Sequence, residues 1–403
     1  MKYNFDEIVN RRNTYSLKWD GGELIKAIGF TERYDSETIP LFTADMDLPV
    51  PQPIIDALHK TVDHRIFGYS VFPDEYYESI QHWFKKRHDW KISREEIVYS
   101  PGTVHALNVA VKALTKPGDG VIIQRPVYPP FTAAVEGNGR VVQNNALKCD
   151  SEGNYTIDFE DFESKAKEET TTMFILCNPH NPAGRIFTQE ELKRLSDICE
   201  EHNVLIVADE IHGDLIRKNQ TFYPIAKVAN NTDHILTCTA INKTFNVAGL
   251  HCTNVVISNP DIRKIFSEAM GMHLPSPFTV SALIAAYNEG ADWLEQLKEY
   301  LDETMEYVKN FFAKNLPTVK VSIPEGTYVM WLDFRGYGLS SKEVHDRIYN
   351  KANVVLEDGE LFGEEGEGFQ RICIPSPRPI IKEALERISL QFQDVESEIL
   401  LKS

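Results

Sequence analysis

The 403-residue chain carries 42 Lys and Arg against 60 Asp and Glu, a formal charge of −18, with 42% hydrophobic and 25% charged residues. This balance suits a globular chain with a large core shared between two domains, and it argues against nucleic acid or an anionic membrane as the main partner. No apolar run reaches membrane-spanning length, the opening residues lack the apolar core of a signal peptide, and the six cysteines show neither a Cys-x-x-Cys pair nor zinc spacing. The expectation is a reduced, cytoplasmic protein that needs no metal.

In chain order, the first 22 residues mix polar and aromatic positions without clear periodicity. Residues 45–71 are Pro-rich, then helical over 52–62, and end in the aromatic–glycine loop Phe67-Gly68-Tyr69-Ser70. Residues 76–88 read as an amphipathic helix whose cationic end, Lys85-Lys-Arg-His88, suits a helix C-terminus. A strand over 96–100 is followed by Pro101-Gly102-Thr103-Val104, which opens a helix over 105–114. Strand, glycine turn and helix N-terminus together make an anion site, because free N–H groups and the helix dipole both favour negative charge. The dipole contributes only about 0.3–1 kcal/mol at an exposed site, so a phosphate there needs further donors. Another strand, 119–124, leads into Arg125-Pro-Val-Tyr128-Pro-Pro.

The apolar runs Met173-Phe-Ile-Leu and Val204-Leu-Ile-Val-Ala flank an amphipathic segment at 189–202. Strand, helix, strand of this kind builds a parallel sheet, and open α/β sheets bind ligands at the C-terminal edges of their strands. Those edges carry Cys177-Asn-Pro-His-Asn181-Pro-Ala-Gly-Arg185 and Asp209-Glu-Ile-His212. A third run, His234-Ile-Leu-Thr-Cys, delivers Lys243 at its end, so Asn181, Asp209 and Lys243 converge. An unpaired ammonium beside a buried strand is costly to desolvate. Lys243 therefore either turns to solvent or loses its charge by covalent attachment to a carbonyl cofactor. Further on, helices are expected over 262–272, 281–289 and 293–312, with a break at Pro275-Ser-Pro-Phe. The apolar stripe Trp293, Leu297, Tyr300, Leu301, Met305, Val308 and Phe312 marks core. Strands at 319–323, 328–334 and 370–374, with helices at 341–352 and 380–400, suggest a small α+β domain. Arg371 follows the acidic, Gly-rich run 363–368, and either pairs with one of its glutamates or clamps a carboxylate.

In this order and spacing, the Asn-Pro motif, Asp209 and Lys243 resemble the fold-type I pyridoxal-phosphate enzymes of the class I/II aminotransferase family. The wording Phe42-Thr-Ala-Asp-Met-Asp47, Asp209-Glu-Ile-His212 and Lys243-Thr-Phe-Asn-Val-Ala-Gly-Leu is similar to the cystathionine β-lyase (C–S lyase, MalY/PatB-type) subgroup. The resemblance implies an aspartate-aminotransferase-like α/β fold, with a large domain around a mostly parallel sheet and a small α+β domain. It divides the chain into an arm and part of the small domain over 1–45, a cofactor-binding domain over 46–288 and a C-terminal small domain over 289–403. It implies a homodimer with shared active sites and a small amino-acid substrate.

The resemblance also assigns roles. Lys243 would hold pyridoxal 5′-phosphate and move the substrate Cα proton; Asp209 would pair with the ring nitrogen and Asn181 with the ring's 3′ oxygen. Tyr128 would lie against the ring as a second catalytic candidate, and Gly102, Thr103 and Val104 would cradle the phosphate. Tyr69 would reach the phosphate of the neighbouring subunit, and Arg371 would bind the substrate carboxylate. His212 stands where many aminotransferases carry a tyrosine near the same 3′ oxygen. Two phosphate-binding residues of the wider family are replaced, by Ala240 and His251, which shifts the load to 102–104, Tyr69 and Thr239; Thr43 departs from the expected aromatic–valine pair. The implied activity is carbon–sulfur β-elimination from L-cystathionine or other cysteine S-conjugates, giving a thiol, pyruvate and ammonia. Either Tyr128 or Lys243 could protonate the leaving sulfur. The same spacing fits an aminotransferase, and a regulatory binding protein with a vestigial cofactor site is a third reading.

Overall fold

In the computed structural model, which describes residues 2–401, seven strands form one sheet. Their spatial order is Ile97–Ser100, Thr253–Ile257, Ile235–Thr239, Leu205–Asp209, Thr171–Cys177, Gly120–Ile123 and Val141–Asn144. Thr253–Ile257 runs antiparallel to both its neighbours, and the strands from Ile235–Thr239 to Val141–Asn144 are parallel. Helices cover both faces, so central strands are apolar on both sides rather than alternating. Met173 and Ile175 pack with the helices Thr103–Leu114, Pro129–Glu136 and Pro260–Met270, while Phe174 and Leu176 pack with Phe159–Ala166 and Gln189–Glu201. Thr188 and Glu191 close a reciprocal cap at the start of Gln189–Glu201, which fixes where that helix begins.

A second, antiparallel sheet orders Lys320–Val321, Val329–Asp333, Phe369–Cys373 and Glu357–Asp358. Ile39–Pro40 reaches across to pair in parallel with Val354–Val355, so the N-terminal residues join this sheet's surroundings. All seven residues of the expected stripe on the helix Ala291–Asn315 are buried. Among the described residues, no helix is long and apolar enough to cross a membrane.

Several local expectations change. Lys243 does not end a strand: pairing stops at Thr239, Ala240 is extended, and the lysine rides a one-turn helix, Ile241–Thr244. Past the last ladder partner, Phe245 N–H returns to Ile241 O at 2.9 Å and Val247 N–H to Asn242 O at 3.1 Å, so the chain satisfies itself locally. The apparent break at Pro275-Ser-Pro-Phe is a helix start, with Ser276 capping and Pro277 in the first turn, where a missing N–H costs nothing. The helix expected over 380–400 divides into Arg378–Leu390 and Gln393–Leu400, because Phe392 turns into the core between them. The strands Val141–Asn144 and Thr253–Ile257 have no counterpart in the sequence reading. The first is a half-exposed edge with polar Gln143 and Asn144, and the second follows the lysine motif without a helix between.

Candidate active site

The C-terminal edge of the large sheet opens into a cavity of about 210 Å³. Strand ends and the loops after them supply its wall: Cys177 and Asn181, then Asp209 and His212, then Asn242 and Lys243. Gly102, Thr103, Val104 and Tyr128 complete it.

Lys243 is half-buried, and its Nζ donates to Ala44 O at 2.6 Å. Tyr328 donates to the same carbonyl at 2.8 Å. Withdrawal from water depresses the amine's proton affinity, with Arg371 adding repulsion and Asp45 and Asp209 pulling the other way. The balance favours a more nucleophilic, neutral amine.

Asp209 is buried, and accepts the Ile211 N–H at 3.3 Å. Burial pushes its carboxyl up to about 6, against smaller opposing pulls from that N–H and from Lys243. Ionisation of this group therefore costs stability as pH rises from 3.8, its ordinary value, through about 6. The shift corresponds to about 3 kcal/mol for a fully buried group. In the cofactor-free protein, Asp209→Asn is expected to raise the unfolding temperature at pH 7.5, with the gain fading by pH 4. A calorimetric pH series checks this, and an equal shift at every pH would refute the charge-burial account.

Arg371 is buried, and stacks its guanidinium over Phe362 at 4.8 Å. Its partner is not a glutamate of the 363–368 run but Glu357 on the adjacent strand, which takes Nε–H at 2.8 Å and one Nη2 proton. Asn181 Oδ1 takes an Nη1 proton at 2.7 Å. One proton on each Nη remains available to an incoming carboxylate. Burial opposes the charge, but Glu357 outweighs it and holds the guanidinium protonated. Glu357 also accepts Thr43 N–H at 3.2 Å, at a residue whose φ of 56° lies in the left-handed region.

Tyr128 starts the helix Pro129–Glu136 and gives its N–H to Asn181 O at 3.1 Å; burial raises its phenol, which keeps its proton. His212 packs against Tyr328 with ring centroids 5.4 Å apart and has a buried Nδ1 without a hydrogen-bond partner. Burial drives its proton affinity well below the usual histidine range, so the ring is neutral. Asn242 Oδ1 is likewise buried and unpartnered.

These features fit the cofactor implied by the sequence. At the start of Thr103–Leu114, the N–H groups of Thr103, Val104 and His105 precede the first helical bond, Ala106 N–H to Gly102 O at 3.0 Å, and no side chain caps them. A Cβ on Gly102 would meet no protein atom within 4 Å, so protein packing does not demand a glycine there. A phosphate at this end would satisfy N–H groups that no side chain caps, a pyridinium would give the buried Asp209 carboxylate a cation, and a carbonyl at Lys243 would remove the charge of a desolvated amine.

Arg371 does not line the cavity and meets it through the lining Asn181, and two further residues are placed elsewhere. Tyr69 is 98% exposed and stands outside the cavity of its own chain. Thr239 is buried, and spends its hydroxyl proton on Asn254 O at 3.2 Å. His251 lines the cavity, so the position of the replaced arginine still faces the site. Sequence reasoning missed Ala44, Cys177, Ile211 and Asn242 as cavity residues. The signal for Ala44 was the motif around it. Its neighbour Asp47 is buried among Lys18 Nζ at 2.7 Å, Arg11 Nη1 at 2.7 Å, Trp19 Nε1 at 2.8 Å and Ser376 Oγ at 2.8 Å. Asn246 adds bonds to Met46 N, Met46 O and Leu48 O. These contacts hold the segment that presents Ala44 O to Lys243.

The family model for aminotransferase class I and II matches residues 37–388. The chain belongs to this family. Within it, the cystathionine β-lyase PatB of Bacillus subtilis is 41% identical over 96% of this chain and 98% of its own. A PLP-bound putative aminotransferase from Clostridium difficile has 41% identity and a TM-score of 0.92, covering 96% of this chain and 99% of the other. The PLP-bound C–S lyase from Staphylococcus hominis has 34% identity and a TM-score of 0.88, covering 96% and 98% respectively.

Proposed function

We propose that this member of the family is a pyridoxal-phosphate-dependent carbon–sulfur β-lyase that converts L-cystathionine or related cysteine S-conjugates to a thiol, pyruvate and ammonia. One observation carries the reading: a desolvated lysine and a buried carboxylate line a single cavity beside an open helix N-terminus, and a half-engaged arginine bonds to Asn181 in its wall. The 41% likeness to a cystathionine β-lyase supports lyase chemistry. Bound pyridoxal phosphate supplies the electron sink that lets the substrate Cα–H bond ionise.

The protein's own residues do the rest. Arg371 holds the substrate α-carboxylate with its two remaining Nη protons, which aims the Cα–H bond. Lys243, whose proton affinity burial lowers, takes the proton from Cα. Asp209 keeps a proton on the cofactor's ring nitrogen, and Asn181, with Oδ1 committed to Arg371, offers its Nδ2 protons. Neutral His212 brings a ring nitrogen without charge. Tyr128, still protonated, is a donor for the leaving sulfur at the site wall, and Lys243 carries the abstracted proton as the alternative donor.

The reading includes a division of the chain into an arm over 1–45, a cofactor domain over 46–288 and a small domain over 289–403. It also includes a homodimer in which Tyr69 leaves its own chain to complete the partner's phosphate site. All six cysteines are free thiols, which supports a reducing, cytoplasmic setting. Incubation with pyridoxal phosphate and L-cystathionine, without any 2-oxo acid, is expected to release pyruvate and free thiol together over repeated turnovers. Amine transfer to 2-oxoglutarate without pyruvate release would instead make it an aminotransferase.

A further inference from the structure

A second cavity, of about 500 Å³, lies between the N-terminal arm and the segment 45–50. It shares Ala248 with the lysine cavity, and its own lining includes Asn246 and Asp45. Its charged groups are Arg11, Asp45 and Asp47: Arg11 pairs with Asp45 through Nη2 and Oδ2 at 2.8 Å and with Asp47 through Nη1 and Oδ1 at 2.7 Å. The Arg11 and Asp45 side chains are about a quarter exposed, at 23% and 24%. Opening the contact between these two leaves Arg11 paired with Asp47 through Nη1, which limits the cost. Asp47 is different: it is buried and shared among several donors, and it serves structure.

We infer that this second cavity is a distal substrate subsite, in which Arg11 and Asp45 recognise an α-amino-acid head carried beyond the sulfur. The inference rests on the lyase reading above and specifies the leaving group that the site selects. A carboxylate and an ammonium on one carbon present both charges a few ångströms apart. They can exchange partners with an ion pair, the carboxylate going to Arg11 and the ammonium to Asp45, so each charge on both sides stays paired. Reach agrees. Asp45 directly follows Ala44, whose carbonyl touches Lys243 Nζ at 2.6 Å. Adjacent Cα atoms are about 3.8 Å apart, and the arm of a homocysteine leaving group spans about 5 Å beyond sulfur. Arg371 then holds the carboxylate next to the breaking bond, while Arg11 and Asp45 hold the far one. Asn246 ties the 46–48 backbone to the turn bearing Lys243, so the two subsites share one frame.

The test compares kcat/KM for L-cystathionine and S-propyl-L-cysteine, which keeps the thioether but lacks the distal head, in the holoenzyme and in Asp45→Asn. The wild type is expected to prefer cystathionine roughly ten- to a hundredfold, the worth of a charge-assisted contact, and Asp45→Asn to lose most of that ratio. Asp45 bonds to Arg11 and leaves the Asp47 cluster intact, so the fold should persist. Should the variant fail to fold, the wild-type series decides: S-(3-carboxypropyl)-L-cysteine and S-(3-aminopropyl)-L-cysteine should fall between the two. Equal kcat/KM across the series, or equal losses in Asp45→Asn for both substrates, would overturn the subsite while leaving the lyase intact. Absence of pyruvate from every substrate would overturn the lyase reading and the subsite with it.

Discussion

Replacing Lys243 with alanine should lower cystathionine turnover at least about 10⁴-fold, the scale for loss of a group that is both nucleophile and base. The fold should survive. Nζ has one protein partner, Ala44 O, and Tyr328 still fills that carbonyl. A group whose charge is disfavoured by its surroundings is removed at little cost, so the unfolding temperature should hold or rise slightly. Lys243→Arg should be as inactive as the alanine variant, because a guanidinium does not give up its proton near neutral pH. The visible absorption band of lysine-bound cofactor should vanish in both variants, and added small primary amines should restore part of the alanine variant's activity. Persistence of the band in Lys243→Ala would move the attachment point to another residue.

Arg371→Met should fail in two separable ways. Loss of the carboxylate clamp is expected to cut kcat/KM by about 10²–10³, largely through KM, as two charge-assisted hydrogen bonds disappear. Stability should also drop by about 3–5 kcal/mol, because Glu357 keeps a largely buried charge without its cation. The second defect is repairable. Glu357→Gln removes the stranded charge, so the double variant should recover much of the stability in a denaturant titration while kcat/KM stays low. Recovery of activity together with stability would mean that Arg371 supports the fold and does not bind substrate.

The strand–loop–helix order around the site was legible because each step has a local physical signature. Apolar runs fully buried between helices, the Gly102 turn before a helix, and the Asn181 and Asp209 motifs at strand ends were all readable from residue type and spacing. The long-helix stripe was legible for the same reason, since its 3.6-residue period survives any arrangement of neighbours. The edge strand Val141–Asn144 was not, because half-exposed polar residues lose the pattern that marks a buried strand. The turn that carries Lys243 escaped too: it forms only where Thr239 runs out of ladder partner, which depends on the neighbouring strand.

The sequence by itself determined the class of fold and the family, and proposed the side chains for the chemistry, since these follow from residue identity and order. Only tertiary structure decided their partners. Glu357 is 14 residues from Arg371 in sequence and Asn181 is 190 away, yet both share its guanidinium. Ala44 meets Lys243 across 199 residues, and the arm's Arg11 and Lys18 reach Asp47. Such contacts join segments with no common period or local propensity. They form because buried charges and carbonyls must find partners once the sheets and helices have packed, and the packed arrangement alone sets which are within reach.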